Sequence, residues 1–89
     1  MTSQESWDLR IDPGVLKSVK KLPRRDSEVI AGVVRLLPAD PFFGDVQKMK
    51  GEDNVWRRRV GAYRLFYTLD ISAKRILVFH LERRTSTTY

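Results

Sequence analysis

Residues 55–67 read Val55-Trp56-Arg57-Arg58-Arg59-Val60-Gly61-Ala62-Tyr63-Arg64-Leu65-Phe66-Tyr67. Two runs rich in β-branched and aromatic residues flank a Gly-Ala pair, and this pattern predicts two strands joined by a tight turn. Strand side chains alternate between faces, so Arg57 and Arg59 share one face while Arg58 points to the other. Because burying an unpaired cation is costly, the row that contains Arg64 is expected to face solvent or an anion.

The arginines of this hairpin predict a phosphate-binding face. Arg57, Arg59 and Arg64 can converge on one open side of a sheet, and guanidinium groups bind phosphate oxygens in bidentate fashion. The alternative is that they are simply solvated, as arginines on the exposed face of a hairpin often are.

The charge distribution favours a polyanionic or acidic partner. The 89 residues include 17 Lys and Arg against 11 Asp and Glu, a formal net charge of +6. From Lys48 to Arg64 there are six basic residues, and only Glu52 and Asp53 oppose them. Plain basic proteins are common, so it is this concentration that favours a nucleic-acid partner.

Composition and length exclude several classes of protein. With no cysteine there can be no disulfide and no thiolate metal site, and a single histidine argues against a histidine-based metal site. We therefore expect no metal and no cofactor. The sequence has no export signal and no apolar run near the roughly 20 residues of a membrane helix, so we expect a cytoplasmic protein without a membrane partner.

Outside the hairpin, the patterns predict one domain over residues 1–89. Residues 7–11 alternate as a strand, and two helical stripes follow, the first beginning at Asp12 and Pro13 and the second capped by Asp26 or Ser27. A near-continuous apolar run over residues 75–81 indicates a strand that is covered on both faces or placed centrally. Residues 1–6 are expected to form a flexible tail and residues 82–89 a polar tail.

The order strand, helix, helix, then three strands predicts an α+β fold. Two antiparallel helices would pack on one face of a small, mainly antiparallel sheet, in the order β-α-α-β-β-β. The opposite face would then carry the arginines.

In the order and spacing of its motifs, the chain resembles the RelE/ParE superfamily of bacterial and archaeal toxins from toxin–antitoxin pairs. The resemblance covers nearly all of residues 7–89. It rests on Lys48-Met49-Lys50-Gly51, on the aromatic-basic run from Val55 to Val60, on Tyr63-Arg64 with its apolar strand, and on Arg83-Arg84 followed by Tyr89. It implies a RelE-like fold and a cognate antitoxin as partner.

The RelE branch, by this resemblance, cleaves mRNA in the ribosomal A site without a metal. The ribose 2′-hydroxyl attacks the adjacent phosphate and leaves a 2′,3′-cyclic phosphate, which requires a proton acceptor, cations and a proton donor. Matching positions imply catalytic roles for five residues: Arg57 and Arg59 as paired cations, Arg64 as phosphate clamp, Arg83 near the leaving group and Tyr89 in stacking or proton transfer. Four further basic residues are predicted to bind RNA: Lys48, Lys50, Arg58 and Arg84.

One departure from the family pattern concerns the paired cations. Some members carry lysines where Arg57 and Arg59 stand, and arginine effectively cannot lose its proton. The general base could instead be Glu52, Tyr89 or His80. His80 lies in the apolar strand, so we expect a core histidine with satisfied hydrogen bonds.

Two other functions fit the same resemblance. The chain could be a ParE-like toxin that poisons DNA gyrase, or a catalytically inactive relative that acts mainly through its antitoxin. A convergent site at Arg57, Arg64, Arg83 and Tyr89 favours the nuclease, because gyrase poisoning has no evident need for it.

Overall fold

The computed structural model describes residues 6–84, which form two helices and one five-stranded sheet. The elements are β1 (Asp8–Ile11), α1 (Pro13–Lys20), α2 (Arg24–Leu36), β2 (Val46–Lys48), β3 (Val55–Val60), β4 (Tyr63–Asp70) and β5 (Arg75–Arg83). The strand order is β1-β5-β4-β3-β2, and β1 runs parallel to β5 while the other pairs are antiparallel. The predicted α+β fold is confirmed.

The sheet has one strand more than predicted. The additional strand is formed by residues 46–48, which precede the predicted hairpin and pair with residues 56–58 of β3 at the edge of the sheet. At the other end of the chain β5 continues to Arg83, two residues into the segment predicted as a polar tail.

The first helix begins as the sequence predicts, and the second does not. The carboxylate of Asp12 accepts a hydrogen bond of 2.8 Å from the backbone N–H of Gly14, with Pro13 at the first helical position. The predicted caps of α2 are wrong, because the helix already begins at Arg24 after Pro23. Asp26 instead lies in the first turn, where a negative charge interacts favourably with the helix dipole.

The two faces of the sheet follow the alternation of β4. Tyr63, Leu65, Tyr67 and Leu69 are buried towards the helices, while the residues between them point to the opposite side, here called the open face. Gly61 has a φ of +58° in the two-residue connection between β3 and β4, a conformation that favours glycine. The predicted hairpin is therefore confirmed.

Tyr67 lies at the centre of the core. Its side chain is fully buried, and its hydroxyl donates a hydrogen bond of 2.6 Å to the backbone carbonyl of Pro41. Burial raises the pKa of Tyr67 to about 12, with a smaller opposing effect from Arg58. The ring therefore ties β4 to the loop that follows α2.

We expect Tyr67→Phe to lower the free energy of unfolding at neutral pH by about 1–2 kcal/mol, because the Pro41 carbonyl is left buried without a donor. The pKa of Tyr67 in the folded protein lies above its value of 10 in the unfolded chain. The stability that the neutral phenol gives the wild-type protein is therefore fully present below pH 10 and is lost as the pH rises towards 12. This loss is about 2 kcal/mol by pH 12. Urea unfolding at pH 7 and at pH 12 should show that the difference in free energy of unfolding between the wild type and Tyr67→Phe shrinks to near zero at the higher pH. A difference that does not change with pH would contradict the argument.

A β-bulge in the pairing of β4 with β5 changes which side chains reach the open face. Phe66 pairs with His80, but the next residue, Tyr67, pairs with Val78, so Phe79 is the extra residue. The predicted core position of His80 is wrong, because the bulge turns its side chain outwards, where it is 53% exposed. The apolar run is central in the sheet but open on one face, since Leu77 and Phe79 are 39% and 38% exposed.

Candidate functional site

Two cross-strand rows of polar and aromatic side chains lie side by side on the open face. The first row consists of Gln47, Arg57, Phe66 and His80 from four successive strands. The second consists of Arg59, Arg64 and Glu82, with Asp45 next to Arg59 just before β2. Directly paired residues share a face in an antiparallel sheet, so the register alone assembles both rows.

A small pocket lies between these rows at the β2–β3–β4 end of the sheet. Its cavity volume is about 70 Å³, and we call it the arginine pocket. It is lined by Asp45, Gln47, Arg57, Arg59 and Arg64. The structure thus brings together the three arginines that the alternation of the hairpin predicts on one face.

Each guanidinium of the pocket is held by a neighbouring side chain. Arg57 donates a hydrogen bond of 2.5 Å to the amide oxygen of Gln47, and Arg59 lies 3.6 Å from a carboxylate oxygen of Asp45. Arg64 forms an ion pair of 3.3 Å with Glu82. The expectation that the row of Arg64 faces solvent or an anion is met, because its cross-strand neighbour is an acid and both side chains are partly exposed.

These contacts orient the guanidinium groups without neutralising the pocket. The ion pairs of Arg59 and Arg64 are partly exposed, and pairs of this kind contribute only about 0–1 kcal/mol to stability. A phosphate offers stronger, bidentate acceptors and can replace a carboxylate at such a site. Chemically, the pocket can hold an oxyanion and stabilise additional negative charge on it.

Arg58 lies on the other side of the sheet from the arginine pocket. It pairs with the buried Leu65, donates a hydrogen bond of 2.7 Å to the carbonyl of Phe43 and places its guanidinium 4.3 Å from the centre of the Phe43 ring. Gly44 passes so close that a Cβ there would collide with this guanidinium. Arg58, which was predicted to bind RNA, therefore makes contacts within the fold that hold the Phe43 loop against the sheet.

Arg83 is also separated from the three pocket arginines. It pairs with Tyr63 on the helix side of the sheet, and its guanidinium lies 5.9 Å from the centre of the Tyr63 ring. The hydroxyl of Tyr63 donates a hydrogen bond of 2.8 Å to Asp26, which together with burial raises the pKa of Tyr63. The predicted association of Arg83 with the arginine pocket is not found.

The remaining predicted RNA-binding residues lie around the edges of the sheet. Lys48 ends β2, and Lys50 is exposed in the turn that leads to β3. Arg84 follows β5, and its backbone N–H donates a hydrogen bond of 2.6 Å to the carbonyl of Ala62. Tyr89 lies outside the described residues.

His80, a candidate for proton transfer, does not occupy the predicted core position. It lies on the open face with its ring centre 5.3 Å from that of Phe66, and its Nε2 is 3.5 Å from the Glu82 carboxylate. Glu82 also holds Arg64, so one acid links the histidine to the arginine pocket. No sequence pattern indicates the β-bulge that places His80 on this face.

Within residues 6–84, no three His, Cys, Asp or Glu side chains are grouped so that they could hold a metal ion. Neither helix of this described part is long and apolar enough to cross a membrane.

Comparison with known proteins identifies relatives in sequence and in fold. No family model matches the chain. A protein of Methanocaldococcus jannaschii named as toxin RelE1 is 27% identical over 81 residues, which cover 88% of this chain and 90% of that protein. This similarity extends over nearly the whole length of both.

Solved structures confirm the RelE-like fold. RelE in the archaeal RelE–RelB complex of Pyrococcus horikoshii superposes with a TM-score of 0.80 at 24% identity, covering 92% of this chain and 99% of that one. The isolated E. coli RelE toxin gives 0.71 at 19% identity, covering 92% and 88%. The RelBE2 toxin–antitoxin complex of Mycobacterium tuberculosis gives 0.70 at 21%, covering 97% and 100%. Together with the sequence relative, they confirm the predicted resemblance to the RelE/ParE superfamily.

Proposed function

We propose that this chain, a RelE-like protein in both sequence and fold, is the toxin of a toxin–antitoxin pair and acts in the cytoplasm as an endoribonuclease on mRNA in the ribosomal A site. The observation that carries the proposal is the arginine pocket, where three guanidinium groups from β3 and β4 line one cavity on the open face. A site of three fixed cations suits a reaction whose transition state gathers negative charge on a phosphate.

The reaction needs no group beyond the RNA and the protein. The 2′-hydroxyl of one nucleotide attacks the adjacent phosphorus and loses its proton, the bond to the 5′-oxygen breaks, and that oxygen gains a proton. The products are a 2′,3′-cyclic phosphate and a 5′-hydroxyl. Arg64 would clamp the phosphate, and Arg57 and Arg59 would stabilise the charge that develops on its oxygens.

For proton transfer the geometry favours His80 over the other candidates. Neither Glu52, which lies in the exposed turn before β3, nor His80 lines the arginine pocket itself, but His80 is linked to it through Glu82. His80 is exposed on the open face, carries the side-chain type that most often serves as general acid or base, and is held by the same Glu82 that holds Arg64. The proposed role of Tyr89 in stacking or proton transfer is tested by deleting that residue.

A cognate antitoxin is the proposed protein partner. The similar structure from P. horikoshii is a RelE–RelB complex, and the one from M. tuberculosis is a toxin–antitoxin complex. On this chain, a groove of about 380 Å³ between the helices and β1 is lined almost entirely by apolar side chains, including Leu9, Ile11, Val15, Leu16, Val19, Ile30 and Val34. An amphipathic antitoxin segment would cover it.

Mapping RNA 5′ ends after induced expression tests the function. We expect new ends within translated codons, each with a 5′-hydroxyl, and none when the antitoxin is expressed as well.

His80→Gln should slow cleavage by purified protein more than it weakens ribosome binding, because proton transfer acts in the transition state. Purified gyrase with supercoiled DNA is the control. Trapped double-strand breaks with intact mRNA would replace the nuclease by the gyrase poison.

A further inference from the structure

An exposed aromatic cluster lies on the open face directly beside the arginine pocket. We call Phe66, Phe79 and His80 the aromatic platform. The ring centres of Phe66 and Phe79 are 6.4 Å apart, and those of Phe66 and His80 are 5.3 Å apart. Phe79 is 38% exposed, and the neighbouring Leu77 is 39% exposed, so the platform continues as an apolar surface.

The bulge in β5 is what creates this platform. In a regular strand Phe79 and His80 would point to opposite faces, whereas here both lie on the open face next to Phe66. A phenylalanine turned outwards gains less from burial than one in the core, so the fold leaves an apolar ring in contact with water. Such rings beside a cationic site are typical of single-stranded nucleic-acid binding.

The platform and the pocket are close enough to hold parts of one nucleotide. Phe66 pairs directly with Arg57 across β3 and β4 and is two residues from Arg64 on the same face. Neighbouring strands lie about 4.8 Å apart, so the backbone positions of Phe66 and Arg57 are one strand spacing apart. Ribose separates a base from its phosphate by a similar span.

We propose that the aromatic platform stacks one base of single-stranded RNA while the arginine pocket holds the phosphate beside it. This inference rests on the proposed function insofar as RNA is the ligand, and it adds a base-contacting surface that would influence which sequences are bound. Charge complementarity selects this occupant, because the cations that border the rings match a phosphodiester backbone. Phe66 and Phe79 supply flat apolar faces, and every base has a π-face to stack on them.

A binding experiment with matched RNAs tests the platform. The probes are two short, fluorescently labelled RNAs with 2′-O-methyl groups that prevent cleavage, one of them lacking a single base but keeping its phosphate. We expect the wild-type protein to bind the intact RNA about 5- to 150-fold more tightly than the abasic RNA, in the range of one stacked base. Phe79→Ala should remove most of this preference and leave the affinity for the abasic RNA unchanged.

Three further variants separate stacking from other causes. Phe79→Tyr should restore the preference because it keeps an aromatic ring, and Phe79→Leu should not. Ile71→Ala removes a more exposed apolar side chain from the β4–β5 turn, where Ile71 is 58% exposed, and should have no effect. Arg64→Ala should weaken both RNAs alike and reduce the salt dependence of binding.

The opposing outcomes are distinct. Equal wild-type affinity for both RNAs, or no binding at low salt, overturns the platform. So does a Phe79→Ala variant that weakens both RNAs equally, or one that loses antitoxin binding instead. None of these results changes the mapped 5′ ends produced by the wild-type protein, so failure of the platform and failure of the nuclease proposal can be told apart.

Discussion

Arg64→Ala is expected to lower the rate of A-site mRNA cleavage by about 10²–10³-fold, the usual effect of removing one hydrogen-bond donor to a developing oxyanion. Stability should change by no more than about 1 kcal/mol, because the ion pair with Glu82 is partly exposed. Cell growth after induced expression and single-turnover cleavage on programmed ribosomes measure the loss of activity, and thermal unfolding measures stability. A large fall in melting temperature together with the loss of toxicity would mean that Arg64 is structural.

Arg58→Ala is the matched control, because it removes an arginine from the same hairpin on the opposite face. Its guanidinium donates to the Phe43 carbonyl and covers the Phe43 ring. Losing a charged hydrogen bond of this kind should cost about 1.5–3 kcal/mol of stability. The molecules that remain folded should cleave at the wild-type rate. Equal loss of activity in both variants would place Arg58 at the RNA as well.

The hairpin could be predicted because two independent signals agree along it. Alternation separates Arg58 from Arg57 and Arg59, and the Gly61-Ala62 pair supplies the turn that sets the register with Arg64. The arginine pocket is a direct consequence of that register. The short strand β2 could not be predicted in the same way, since Val46-Gln47-Lys48 is three residues long and pairs only because β3 offers an edge.

A single bulge accounts for the two largest errors at the site. Strict alternation along β5 from the buried Ile76 would turn His80 inwards and Arg83 outwards beside the pocket. The extra residue at Phe79 reverses both, so that His80 reaches the open face and Arg83 packs near Tyr63. Bulges have no reliable signal in an apolar run, because the side chains on either side are of the same type.

Local hydrogen bonding explains the remaining differences. Asp26 is a residue type that often caps helices, but the helix begins earlier, after Pro23. The Asp26 carboxylate is therefore free to accept a hydrogen bond from the hydroxyl of Tyr63. Glu82 reads as part of a polar tail, yet the extension of β5 places it opposite Arg64. In both cases the partner is more than 15 residues away in sequence, beyond the reach of a local pattern.

The largest expected effect is the dependence of cleavage on the ribosome. The arginine pocket is small and lies on an open sheet face, and three of the five described residues that line it are arginines, which hold a phosphate rather than orient a ribose. In-line attack requires the 2′-hydroxyl to be held opposite the leaving 5′-oxygen. Positioning of this kind is worth roughly 7–11 kcal/mol in favourable cases.

We therefore expect the purified protein to cleave an A-site codon on a programmed ribosome at least about 10⁵-fold faster than the same RNA free in solution, because a ribosome-held codon has already lost the rotational freedom that free RNA retains. Single-turnover rates on the two substrates measure the ratio. The product should carry a 2′,3′-cyclic phosphate, and a 2′-deoxy nucleotide at the attacking position should stop the reaction. If free RNA were cleaved within tenfold of the ribosomal rate, the protein itself would orient the ribose, and the pocket would have to include groups beyond the three arginines.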